Sequence, residues 1–343
     1  MNRVLRWLLV LAGIALLLPL SAFVGFGLWQ GLDVGNAFYA LVVEPTGTTI
    51  APERVPYRHA DVRWLGNIDN LDLAEASGLD VSTRGPELLL AINDSANEPR
   101  LFALSSLGAD LGSWPVALPA LGDWEDLSSF RIDGTSYLLI ADTGDNFRWR
   151  RVLRLYILRE PQLRQLTDST ILQVERIIEF SYPEGPRDSE SVAVDASTRE
   201  ILILSKRVIP AEVYRLSLDA PEDQVVTAER IALLTGIPQP AERDLYEDPN
   251  YGPGRSAPTA LDVHGNSALV VTNKDAYLFE RQPDEPWSTA FARIPQRIAL
   301  PRVGQQEAGA FARDGRSFYT TIERPRGRDA AGIYEILLSP VER

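Results

Sequence analysis

One pattern returns five times along this chain, and it limits the fold more than any other feature. EASGLDVSTRGPELLLAIND begins at Glu75, EDLSSFRIDGTSYLLIAD at Glu125, and SESVAVDASTREILILSK at Ser189. APTALDVHGNSALVVTNK begins at Ala257 and EAGAFARDGRSFYTTIER at Glu307. Each unit is a short apolar run, a turn rich in Asp, Gly, Ser or Asn, and a second apolar run ending in a polar or charged residue, which is the pattern of two antiparallel strands. In the second unit the turn falls at Asp133-Gly134. A third run follows each pair (LFAL, RLYIL, VYRLSL, YLFER, IYEILL), and a fourth precedes the next unit (WPVAL, ILQVERIIEF, VVTAERIALL, ARIPQRIAL).

Four strands per repeat at this spacing predict an all-β chain folded as a β-propeller. The count is five four-stranded blades, or six if a long insertion hides a degenerate one. The fifth repeat ends after its third strand, near Pro340. DVRWLG (Asp61–Gly66) stands before Glu75 as the fourth strands stand before the other units, so it is expected to close the last blade from the N-terminal side. Pairing it there would leave no open sheet edge. A generic β-sandwich, the competing fold, predicts no register among the five units.

Ahead of the repeats, Arg3 and Arg6 precede an uncharged run from Trp7 to Trp29. That run matches the roughly 20 residues needed to span a bilayer, and the leading arginines predict an N-inside orientation. A cleaved signal peptide is the alternative, but the small-residue pattern around Ser21–Ala22 and Gly25–Gly27 fits cleavage poorly. The expected organisation is a signal anchor over residues 1–30, a tether over 31–60, and a propeller over 61–343. It places the chain in the cell (inner) membrane as a single-pass protein with the propeller on the periplasmic, extracytoplasmic side.

Composition excludes much chemistry. There is no cysteine, so disulfides, thiolate metal sites and Cys nucleophiles are absent. The two histidines, His59 and His264, fall in the entry segment and in a turn expected at the far end of a blade. No G-x-S-x-G, H-E-x-x-H or Gly-rich phosphate loop occurs. A net charge of −13 disfavours nucleic acid, whose phosphates need clustered Lys and Arg.

Carboxylates, amides, Lys and Arg therefore carry any function. In a propeller the first strand starts and the second strand ends at one end of the channel. The starts are Glu75, Asp126 with Glu125 beside it, Glu190, Ala257 and Glu307; the ends include Asn93, Asp94, Asp142, Lys206, Asn273, Lys274 and Arg324. Converging carboxylates and amides suit a hard cation such as Ca²⁺, which takes six to eight oxygens. The expected cation ligands are Glu75, Asn93, Asp94, Asp126, Asp142, Glu190 and Glu307. The plainer alternative is that these acids accept backbone N–H bonds at strand starts. Lys206, Arg207, Lys274, Arg324, Arg326 and Arg328 make the other side of the rim basic, and Lys206, Asn273, Lys274 and Arg324 are the expected contacts of a small or anionic ligand. The long connection IPQPAERDLYEDPNYGPGR adds Asp248 and Tyr251 as an acidic lid entering the blade that lacks a rim acid.

E-A-S-G-L-D, W-E-D-L, D-T-G-D-N and Q-E-A-G-A-F-A-R-D-G resemble the exported bacterial propellers called phytase-like, over about residues 60 to 340. That resemblance implies an exported propeller and, for its better-known members, Ca²⁺ and phosphoester hydrolysis. Their metal ligands do not map onto this chain residue by residue. Three functions follow from the residues: a membrane-anchored propeller binding a divalent cation and a small or anionic ligand at an acidic mouth; a metal-dependent hydrolase of phosphoesters or lactones; or a scaffold for another envelope protein.

Overall fold

The computed structural model describes residues 44–94, 97–118, 122–146, 148–247, 252–322 and 331–339. The chain divides into two compact units. One is Glu44–Gln239 with Ser256–Arg343; the other is Met1–Val43 with Pro240–Arg255. Among the described residues no helix is long and apolar enough to cross a membrane, and the apolar run Trp7–Trp29 lies outside them.

The larger unit is a β-propeller. Its strands, in chain order, are β1 (Glu44–Pro45), β2 (Ala60–Asn67), β3 (Ala76–Val81), β4 (Leu88–Asn93), β5 (Arg100–Ser105) and β6 (Asp110–Ala117). Then come β7 (Trp124–Ile132), β8 (Thr135–Asp142), β9 (Leu153–Arg159), β10 (Leu172–Ser181), β11 (Ser191–Asp195) and β12 (Glu200–Leu204). After these run β13 (Val208–Ile209), β14 (Glu212–Ser217), β15 (Val226–Thr227), β16 (Glu229–Leu233), β17 (Pro258–His264) and β18 (Ser267–Thr272). The last are β19 (Asp275–Glu280), β20 (Gln296–Ala299), β21 (Gln306–Phe311), β22 (Ser317–Ile322) and β23 (Gly332–Leu338).

Strands β3-β4-β5-β6 and β7-β8-β9-β10 form two meanders, joined where β6 and β10 pair in parallel. Three separate four-stranded sheets follow: β11-β12-β14-β16, β17-β18-β19-β20 and β21-β22-β23-β2. In the last, Asp61–Gly66 takes the outer position that the sequence suggests, with Val62 opposite Ile336 and Arg63 opposite Glu335. The innermost strands neighbour one another in the cyclic order β3, β7, β11, β17, β21 and back to β3.

The inner strands and their neighbours are covered on both faces, so the polar residues they carry, Asp80 and Asp195 among them, are buried with the apolar ones. Strands β3, β11, β21 and β22 are buried at every position. Each apolar cluster lies between two neighbouring sheets. Leu155, Ile178 and Phe180 meet Val192 and Tyr214; Leu202 and Val213 meet Val270 and Phe279. Phe102 and Leu79 likewise meet Ala310 and Ile333. The Asp133-Gly134 turn has positive φ at both residues (49° and 78°), the backbone that a two-residue hairpin requires.

Residues 44–59, read in the sequence as the end of a tether, run along these sheets. Strand β1 pairs in parallel with β13, the Ile50 N–H donates to the Thr235 carbonyl (2.8 Å), Val55 is buried, and Arg58 donates to the Ser339 carbonyl (2.9 Å).

In the smaller unit, the described residues form a short helix, Glu242–Glu247, and a 3₁₀ turn, Gly252–Gly254. Buried Asp244 accepts the Ala241 N–H (3.0 Å), and Gly252 packs so closely on the Asp244 carbonyl that a Cβ there would crowd it. Asp248 and Tyr251, expected in a lid, lie outside the described residues, as does Arg324.

Candidate functional site

A displaced register decides which side chains reach the channel mouth. Four of the inner strand pairs break register at their first residues, between Ala76 and Gly78, Trp124 and Asp126, Pro258 and Ala260, and Gln306 and Ala308. The extra residue of a bulge is re-aimed relative to its neighbours. Here the extra residues are Ser77, Glu125, Thr259 and Glu307, and Glu190 holds the same place just before β11. All five line one small cavity of about 70 Å³, together with Glu75, Ala76, Asp94, Lys206 and Gln305.

Two groups of carboxylates share residues with that lining. Asp94, Asp123 and Glu125 bring one oxygen each within 4.8 Å of one another, and so do Glu125, Asp188 and Glu190. Gly144 makes the first grouping possible, since a Cβ at that position would collide with the Glu125 and Asp123 carboxylates. The second grouping already holds basic partners. Lys206 pairs with Glu190, and Arg207 donates from Nε to Asp188 (2.6 Å).

Burial and mutual repulsion govern these acids. Burial first, then Glu190, Asp94, Asp188 and Asp123, push the Glu125 carboxyl well above the usual range. Glu190 is raised to about 8, chiefly by burial, with Asp188 and Glu307 adding to it and Lys206 opposing. Burial raises Glu307 too, against the pull of Lys206 and Gln305. Burial works against the Lys206 charge, but Glu190, Glu307, Asp188 and Glu125 outweigh it and hold its ammonium well above the usual range.

The remaining expected ligands are placed as follows. Asp126, one position beyond the bulge, sits deeper in the channel and accepts N–H bonds from Leu127 (2.8 Å), Val192 (2.9 Å) and Leu261 (3.3 Å). It ties three inner strands together, and Asp262 ties two by accepting from Val263 (2.7 Å) and Phe311 (2.7 Å). Burial raises both carboxyls. Asp142 accepts from Arg150 (2.6 Å), the Asp123 N–H (2.9 Å) and the Tyr156 hydroxyl (3.2 Å). Asn93 accepts the Glu75 N–H (3.1 Å) and donates to the Asp72 carbonyl (2.7 Å). Glu75 stays exposed at the cavity edge and accepts from Asn97 (3.0 Å). Asn273 and Lys274 are half-buried in the turn after β18. His264 is the last residue of β17, at the turn into β18 and beside Phe311.

Glu125, Asp123 and Asp188 are the residues that sequence reasoning undervalued. W-E-D-L offers two adjacent acids, and only the bulge decides between them. Asp123 and Asp188 precede the repeat unit, where no periodicity marks them.

No family model matches this chain, and no curated protein is similar to it in sequence. Among solved structures it is similar to a gluconolactonase from Xanthomonas campestris, at 10% identity over 85% of this chain and 94% of that one, with a TM-score of 0.48. It is also similar to a luciferin-regenerating enzyme (9% identity, 81% and 95% covered, TM-score 0.42) and to the RRP9 WD40 repeats (12% identity, 77% and 80% covered, TM-score 0.39). Likeness at this level carries no activity across. The resemblance to phytase-like propellers gains no support from these comparisons.

Proposed function

We propose that this is an exported five-bladed propeller, anchored by residues 7–29, that binds one divalent cation at its acidic mouth through Asp94, Asp123 and Glu125. The observation that carries this reading is their approach within 4.8 Å. Oxygens bound to one Ca²⁺ at about 2.4 Å stand at most about 4.8 Å apart, so the three can share an ion with little movement. Such an ion would also relieve the repulsion that raises Glu125. In the neighbouring trio Lys206 and Arg207 pair with Glu190 and Asp188, so an ion there would have to displace them. With Lys206 turned inward, a small anionic ligand would be held through the cation's open coordination positions.

A second reading is metal-dependent hydrolysis of a phosphoester or lactone. It is favoured by the position of Glu190, whose carboxylate lies in the cavity against the proposed ligand Glu125 and could take a proton from ion-bound water. Chelator-sensitive turnover of such esters would select this reading over binding alone.

Calorimetric titration of Ca²⁺ into the wild type, Glu125→Gln and Asp126→Asn tests the assignment. Glu125→Gln should weaken binding at least about tenfold, the equivalent of about 1.4 kcal/mol. Asp126→Asn should lower the melting temperature and leave Ca²⁺ affinity nearly unchanged. The reverse pattern would move the site down the channel and refute this one.

A further inference from the structure

The segment Arg148–Arg151 follows the second strand of its blade at the mouth end of the channel. Its backbone is held from beneath. Buried Asp145 accepts the N–H groups of Trp149 (2.8 Å) and Arg150 (2.7 Å), and its own N–H donates to Asp188 (2.8 Å). Arg150 is turned inward, donating to the Gly144 carbonyl (2.7 Å) and to Asp142 (2.6 Å). What this fixed loop presents outward is the Trp149 side chain, 78% exposed, with Arg151 exposed beside it and Arg148 half-buried. Arg150 is paired with buried Asp142, so the exposed groups of this loop are the Trp149 ring and the Arg151 side chain.

The chain enters the propeller at the same place. Glu44 lies opposite Val208 in the β1–β13 pair, and Val208 directly follows Arg207, which bonds both Asp188 and Asn146. Residues 30–43 connect that entry to the apolar run Trp7–Trp29 and can span at most about 50 Å. A Trp ring flanked by arginines is the side-chain set that settles among phospholipid headgroups, the indole at the interface and the cations on anionic lipid. We propose that Arg148–Arg151 is a membrane-docking element that seats the mouth face of the propeller on an anionic phospholipid surface. This rests on the reading that residues 7–29 anchor the chain. Docked in this way, the acidic mouth opens toward the bilayer and takes its ligand from the headgroup layer.

Because the chain has no cysteine, one introduced thiol reports one position. The full chain is reconstituted into phosphatidylcholine vesicles with or without phosphatidylglycerol, carrying a fluorophore on Arg151→Cys or on Thr198→Cys. Thr198 is exposed in the β11–β12 turn, at the other end of the blade. With phosphatidylglycerol present, headgroup-spin-labelled lipid should quench the dye at 151 several-fold more than at 198. Adding Trp149→Ser should bring the two to the same level without changing the melting temperature. Equal quenching at both positions, or stronger quenching at 198, overturns the docking. Equal quenching at 151 in phosphatidylcholine alone overturns the anionic assignment. Flotation of the same vesicles after carbonate treatment reads the anchor separately: protein lost from the vesicles refutes the anchor, whereas protein that floats with 151 unquenched refutes only the docking.

Discussion

At the residue scale, Lys206 does most to set the character of the mouth. Its ammonium pairs with Glu190 and is held charged by Glu190, Glu307, Asp188 and Glu125, for which it acts as a built-in counter-ion. Replacing one partner of a buried ion pair leaves the other uncompensated, at a cost of about 3–5 kcal/mol. Lys206→Met should therefore lose stability of that order near pH 8. The loss should be smaller near pH 5, because the acids it faced then take up protons. The sign follows from linkage. The Glu190 carboxyl is raised from its ordinary 4.5 to about 8, so the folded chain holds a proton that the unfolded chain has released. Stability thus falls as pH rises from about 4.5 to about 8 and levels off above, and removing Lys206 steepens that fall. Melting curves of both proteins in chelator at the two pH values check this; equal losses at both would show that Lys206 does not balance these acids. Sequence reasoning could not turn Lys206 inward, since Glu125 and Glu307 come from other repeats and its partner Glu190 stands at the opposite end of its own.

At the element scale, the repeat was legible because each inner strand is buried on both faces and so shows an apolar run closed by a turn. LLLAIN, YLLIAD and SALVVT can be read directly as second strands. The bulges were not legible, because a bulge depends on which residue stands opposite it. Reading straight through W-E-D-L put Asp126 at the mouth; the displaced register gives that place to Glu125 and turns Asp126 to the backbone of two other blades. The β2 strand was found by its position before the first unit, whereas the path of Thr46–Arg58 over β13 and β20 left no periodic trace. Deleting Asp61–Gly66 removes the partner of β23 and exposes its edge, so the whole propeller should melt lower or fail to fold. Cutting back only residues 31–43, which precede the first described strand, should leave the transition nearly in place. Equal effects of the two deletions would mean that β2 does not close the last sheet in solution.

Across the whole molecule, the charges are sorted by depth. The channel interior holds carboxylates that accept backbone N–H bonds, the mouth holds carboxylates that face one another, and arginines occupy the outer loop at Arg148–Arg151. The first set is structural and the second is costly unless a cation joins it. The most direct test is the melting temperature of the wild type, first stripped with chelator and then supplied with Ca²⁺, Mg²⁺ or Mn²⁺. An ion bound only by the folded chain stabilises it by about 2.7 kcal/mol at a hundredfold excess over its dissociation constant. The wild type should shift upward by several degrees with at least one of these ions, and Glu125→Gln much less. No shift with any of them at millimolar concentration would contradict the cation site and leave the mouth acids to Lys206, Arg207 and shared protons.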